Sequence, residues 1–179
     1  MRITRLTEQD MDWSQVDHAI LHEEFQAGDT IRIERCDWKV LDTRYDSQHP
    51  DENRILLWKR TGITDYIFNK NNSNIYKNSD IRKYLRTEFH SSVPEEMLQR
   101  ITDEDFFLPT LLQILTLIPH DTDRIAWNKR NYPTCYWTAT RNDERGHHVC
   151  IMNSVGHTYD TNADNFGGVA PLCWMQIRN

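Results

Sequence analysis

The sequence predicts an α+β fold with two or more helices gathered on one side of a mixed or antiparallel sheet, and three observations predict it. Short apolar or alternating runs open the chain, helically spaced apolar residues fill its middle, and short runs parted by turn residues close it. Composition agrees. Among 179 residues, 38% are hydrophobic and 27% charged, the balance of a folded domain that buries a core without needing disulfides or metal.

Residues 10–25 predict a helix: Met11, Val16, Ile20 and Leu21 fall near one face, and Gly28 is a natural stop. Thr30–Ile33 alternates and Trp38–Leu41 does so less cleanly, as two antiparallel strands. A polar loop over 45–53 leads to Arg54–Lys59, apolar enough for a central strand. Over 80–89, Ile81, Tyr84, Leu85 and Phe89 share a helical face behind a cap at Asn78 or Ser79. A second helix starts at Pro94, with Glu95 and Glu96 at its positive end and Met97, Leu98 and Ile101 inward. The apolar stretch 106–118 reads as a short strand and then a helix over Leu111–Leu117, followed by a polar connection over 119–131. Strands are expected at about 134–140, 147–153, 155–160 and 168–175.

Charge and motifs narrow the function classes. With 21 Lys and Arg against 27 Asp and Glu, the net charge is −6, opposite to that of a duplex-coating protein, so nucleic acid is not an expected partner. No run approaches the ~18 consecutive apolar residues of a membrane span. The first ten residues lack the apolar stretch of an export signal, which suggests a cytoplasmic protein, or a virion-associated one if phage-encoded. Cys36, Cys135, Cys150 and Cys173 form no C-x-x-C pair, so reduced thiols are expected, with Cys150 and Cys173 as small buried hydrophobes in strands.

Several motifs then occur in a particular order. They are Gly28-Asp29-Thr30, Trp38-Lys39-Val40-Leu41, Ser79 through Leu85 with Phe89, Pro94-Glu95-Glu96 and Phe106-Phe107-Leu108. Tyr136-Trp137-Thr138-Ala139-Thr140 and Gly168 through Trp174 complete the set. In these the chain resembles an uncharacterised family of bacterial and phage domains related to the C-type-lectin-like fold. Its wider relatives are formylglycine-generating-enzyme-like domains and the variable proteins of diversity-generating retroelements. The resemblance spans about residues 26–176 and implies a domain over 26–179, preceded by a helical extension over 1–25. It also implies a long C-terminal display loop carrying the function. Relatives often hold an arginine in the block matched by Trp137–Thr140 and another before the proline matched by Pro171; here those positions hold Thr or Ala.

The display segment would be 141–168. Its candidate ligand-binding residues are His148, Asn153, His157, Tyr159, Asp160, Asn162, Asp164, Asn165 and Phe166, with Trp127 as a neighbouring aromatic. Tyr and Asn offer contact area and adaptable hydrogen bonds, as in antibody paratopes, although Asn, Asp and Gly also simply build turns. The Asn, Asp, Tyr and His content fits the adenine-codon bias of retroelement variable proteins, as the resemblance implies. Arg124, Lys129 and Arg130 around Trp127 read as a small basic-aromatic island.

Other chemistries fit less well. Asp160-Thr161-Asn162-Ala163-Asp164 starts like a calcium loop, but Asn165 replaces the glycine and Pro171 the bidentate carboxylate. Adjacent His147 and His148 would point to opposite faces of a strand, so no metal or other cofactor is expected. Asp103-Glu104-Asp105 reads as a solvated turn, and no nucleophile elbow or phosphate-binding glycine loop occurs. The leading expectation is a non-enzymatic module that recognises a protein or glycan. The alternatives are an enzyme or small-molecule binder of the formylglycine-generating type, with Cys150 or His148 in its pocket, and a structural subunit of a larger assembly.

Overall fold

Two antiparallel-rich sheets share the core, and short helices close it. The computed structural model describes residues 11–22, 24–33, 35–45, 48–49, 52–102 and 105–178. Asp103 and Glu104 of the expected acidic turn lie outside these. The first sheet contains β1 (Thr30–Ile33), β2 (Cys36–Arg44), β3 (Arg54–Trp58) and β11 (Leu172–Gln176), antiparallel in the order β1-β2-β3-β11. The second contains β4 (Thr64–Ile67), β7 (Tyr136–Arg141), β8 (His148–Met152), β9 (Thr158–Asn162) and β10 (Phe166–Val169), in the order β4-β10-β7-β8-β9. All its pairings are antiparallel except β10 with β7. A two-residue ladder joins β5 (Ala126–Trp127) to β6 (Pro133–Thr134).

Both faces of β3 are buried, which is why Ile55-Leu56-Leu57-Trp58 is an unbroken apolar run. Ile55 and Leu57 join one hydrophobic cluster with Ile31, Val40, Phe68 and Trp137; Leu56 and Trp58 join another with Leu41, Tyr136 and Leu172. Trp58 and Trp137 are fully buried, and each removes roughly 150–250 Å² from water, an upper-bound transfer gain of roughly 4–6 kcal/mol. Their indole N–H groups are satisfied, Trp58 donating to the Ala170 carbonyl at 3.2 Å and Trp137 to that of Tyr66 at 2.8 Å.

The first helix, α1 (Trp13–Leu21), starts with a capping box in which Asp12 and Gln15 bond reciprocally. It buries Trp13, Val16, Asp17, Ala19 and Ile20, so its apolar face is covered. Asp17 meets Arg100 in a buried ion pair at 2.8 Å and accepts from the Arg178 backbone N–H at 3.1 Å, while the Arg100 guanidinium lies 4.7 Å above the Trp13 ring. The N-terminal helix is thus tied to the last residues of the chain.

Helix α2 (Asp80–Tyr84), capped by Ser79, continues as a π turn over Leu85–Phe89. Residues four apart drift by about 40° on a helix of 3.6 residues per turn; the wider π turn suits the buried series Ile81, Leu85 and Phe89. Two further helices follow, α3 (Glu95–Leu98) and α4 (Leu111–Leu117), the latter within the expected limits and opened by a Thr110–Gln113 capping box.

Several expectations need correction. The segment 141–168 is no long display loop: it contains β8, β9 and the start of β10, joined by tight turns. The strand expected at 155–160 lies at Thr158–Asn162, because residues 153–157 are consumed by a turn. The strand expected at 168–175 is two strands in different sheets, divided at Ala170-Pro171, where the chain steps from one sheet to the other. The 119–131 connection holds a 3-10 turn over Asp121–Arg124 and β5. Trp174, which its strand position in sequence would place in the core, is half-exposed beneath the Arg44 guanidinium at 4.4 Å.

Candidate functional site

The β8–β9 pair places most of the candidate residues. Direct partners are His148 with Asn162, Cys150 with Asp160, and Ile151 with Tyr159. Because side chains alternate along a strand, His148, Cys150, Asp160 and Asn162 share one face, while Tyr159 shares the other with Ile151. On the first face His148 Nδ1 lies 2.5 Å from Asp160 Oδ2, Asn142 Nδ2 donates to the same oxygen at 3.2 Å, and Arg145 stands 3.6 Å away. The His148 hydrogen bond foremost, then the Arg145 charge and the Asn142 bond, hold the Asp160 carboxyl below the usual aspartate range despite some desolvation. Asn162 Oδ1 is buried with no hydrogen-bond partner.

The turn before β8 is held from beneath. Asn74 is buried, and its side-chain amide donates toward the carbonyls of Asn142, Arg145 and His148 at 3.1, 3.3 and 3.2 Å. In sequence the asparagine-rich stretch 69–74 reads simply as a turn, and nothing local marks Asn74 as the anchor of a segment some seventy residues later.

The turn between β8 and β9 is equally specified. Asn153 Oδ1 accepts from the backbone N–H groups of Val155 and His157 at 3.0 and 2.9 Å, so Asn153 is a turn-maker. Gly156 sits at φ 82° with its α-carbon against the Asp121 backbone, where any Cβ would collide with the carbonyl oxygen. His157 Nε2 reaches Asp121 Oδ2 at 3.1 Å. These contacts bring the 153–157 turn onto the 3-10 turn at 121–124. Asn165 Nδ2 donates to Thr161 Oγ1 at 2.6 Å, tying the bend after β9 back to that strand, and Asp164 is exposed.

Exposure separates contact candidates from builders. Tyr159 is 65% exposed, Phe166 73% and Val155 55%; Val155 was not singled out by sequence, since a lone valine in a polar stretch looks like a strand residue. Trp127 is half-buried, its backbone bonded to the Arg60 carbonyl at 2.7 Å and the Ile63 N–H at 3.1 Å. The basic island around it needs correction. Arg124 is buried and donates to the Ile118 and Pro119 carbonyls and to Asp121, so it braces a turn and is withdrawn from any ligand.

One cysteine also differs from expectation. Cys150 is half-buried on the His148–Asp160 face, whereas Cys173 is fully buried. Burial first, then the Asp160 and Asp143 charges, push the Cys150 thiol up, away from a reactive thiolate; burial does the same to Cys173. The rings of His147 and His148 do not diverge but meet edge to face, with centroids 4.8 Å apart. His147 precedes β8, and strand alternation does not govern it. Among the described residues, no group of three or more His, Cys, Asp or Glu is placed to hold a metal ion, and no helix is long and apolar enough to cross a membrane.

No protein-family model, curated protein or solved structure matches the chain.

Proposed function

We propose that the chain is a non-enzymatic recognition module of bacterial or phage origin, with a C-type-lectin-like fold, that binds a protein or glycan through the outer surface of residues 141–168. The reading rests on one observation: the 153–157 turn is braced against Asp121, and Val155, Tyr159 and Phe166 stand exposed on this short, tightly tied segment. Apolar and aromatic side chains on pre-organised backbone give contact area at small entropic cost. His157, Asp164 and Asn165 supply polar groups around them; Asn153 and Asp160 shape the surface from within.

The test is capture on a glycan array and on a panel of immobilised bacterial surface proteins, followed by Tyr159→Ala and Phe166→Ala. Loss of capture with an unchanged melting temperature supports the reading, and undiminished capture by the double variant refutes it. An adjacent reverse transcriptase with a near-copy of the terminal coding segment would add target diversification to the reading.

One observation favours a second reading, a thiol enzyme of the formylglycine-generating type: Cys150, His148 and Asp160 share a face. The raised Cys150 thiol argues against it. Alkylation decides: slow reaction of native Cys150 at neutral pH, relative to a cysteine peptide, supports the binding reading, and faster reaction supports the enzyme.

A further inference from the structure

Four strands form the outer edges of the two main sheets, β1 and β11 of the first and β4 and β9 of the second. Three of them are tied to other parts of the chain. Leu172 of β11 exchanges backbone bonds with Phe107 at 2.8 and 3.0 Å, the Trp174 carbonyl accepts from Thr102 at 3.0 Å, and the Gln176 N–H donates to Arg100 at 2.7 Å. On β1 the Arg32 carbonyl accepts from the Met11 N–H at 2.9 Å. The residues flanking β4 are pinned, Ile63 donating to the Trp127 carbonyl and the Phe68 carbonyl accepting from Ile81, both at 3.1 Å.

The edge of β9 differs. Two bonds flank its ladder with β8, from the Asn153 N–H to the His157 carbonyl and from the Ala163 N–H to the His147 carbonyl, both at 2.8 Å. They fix the alternation: Tyr159 and Thr161 turn their backbone groups toward β8, and Thr158, Asp160 and Asn162 turn theirs outward. The Asn162 carbonyl accepts from the Asn165 N–H at 3.1 Å; among the described residues nothing bonds the other outward groups. The usual protections of an edge are missing too. Thr158–Asn162 contains no lysine or proline, and its ladder with β8 runs without a bulge.

The strand that suits this edge is β9 itself. Antiparallel pairing about a two-fold axis sets outward residues of one copy opposite outward residues of the other. With Asp160 on the axis two carboxylates would stand opposite each other, which is unfavourable. With Thr158 on the axis the 153–157 turn cuts the ladder to a single pair. With Tyr159 on the axis, Thr158 of each copy exchanges N–H···O bonds with Asp160 of the other, and the two exposed Tyr159 rings stand side by side. In that register the Asp160 carboxylate, already engaged by His148, Asn142 and Arg145 of its own chain, faces only a threonine.

We infer that two copies of this chain associate edge to edge through β9, antiparallel, with Tyr159 at the two-fold axis. So short a seam makes a weak, reversible dimer, with a Kd between about 10 µM and 1 mM. Sedimentation equilibrium of the full chain across that range reads it. Thr158→Pro removes one outward N–H and leaves the bonds to β8 in place, so it is expected to raise Kd about tenfold or more with little change in melting temperature. Tyr159→Cys tests the register. A non-hydrogen-bonded pair holds its α-carbons about 4.5 Å apart, within disulfide reach, so oxidised glutathione should cross-link two copies of this variant on a non-reducing denaturing gel. The parent chain and Thr161→Cys, which lies opposite His157 in this register, should stay uncross-linked. If Thr158→Pro fails to fold, cross-linking at 159 decides alone. A monomer throughout the range, parent-like dimerisation of folded Thr158→Pro, no cross-link at 159, or a cross-link at 161 instead overturns the inference. Phe166 lies on β10, with β7 and β8 between it and the seam, so Phe166→Ala keeps the dimer, and loss of capture in that variant speaks to the recognition surface alone.

Discussion

Replacing Asn74 by alanine removes the side-chain amide that holds the 142–148 turn. That amide has two hydrogens, shared among three carbonyl oxygens at 3.1, 3.2 and 3.3 Å. A hydrogen bond contributes about 0.5–1.5 kcal/mol net, so two hydrogens are worth about 1–3 kcal/mol. For a domain of this size each kcal/mol moves the melting temperature by about 2–4 °C. Asn74→Asp is the sharper control: it keeps the shape but turns one donor group into an acceptor facing three carbonyls, so its loss exceeds that of alanine. Urea unfolding gives the global number. Hydrogen exchange at the amides of Asn142 and His148, which bond to the His148 and Arg145 carbonyls, reads the local loosening. A loss under about 0.5 kcal/mol with unchanged exchange at both amides would refute the clamp.

Three further outcomes are expected. The Asp160 carboxyl is held below the ordinary aspartate value of 3.8, so its contribution to stability is present above that pH and lost as pH falls through the lower folded-state value. In Asp160→Asn the acid limb of the stability–pH curve should therefore be shallower than in the parent, and identical limbs would remove Asp160 from the acid response. Gly156→Ala should cost about 2 kcal/mol or more in denaturant unfolding, since it combines a left-handed φ with a collision against the Asp121 carbonyl; a neutral result would mean the turn does not rest there. Asp17→Ala should cost about 3–5 kcal/mol by leaving Arg100 buried without its carboxylate, measured the same way; a loss below about 1 kcal/mol would show that the pair does not anchor the first helix.

Much of the architecture was legible because its signals are local. Thr30–Ile33, Arg54–Trp58 and Leu111–Leu117 fall where alternation, an apolar run and helical spacing placed them. Elements defined by their neighbours were not legible. Thr64–Ile67 has two exposed residues followed by two half-buried ones, and only its pairing with β10 makes it a strand. Trp13 carries no local core signal, yet it is buried, with the guanidinium of sequence-distant Arg100 over its ring. Within the candidate surface, sequence named the residues but could not sort them. Asn153 and Arg124 are builders by virtue of backbone groups they bond, which residue type alone does not reveal.

Pairing between segments far apart in sequence sets an order for folding. Strand β3 waits for β11 to complete its ladder, and the Asp17 carboxylate waits for the Arg178 amide, so both depend on slow closure of long loops. Until those loops close, the apolar run of β3 stays half-covered, which makes the open state the one most prone to association.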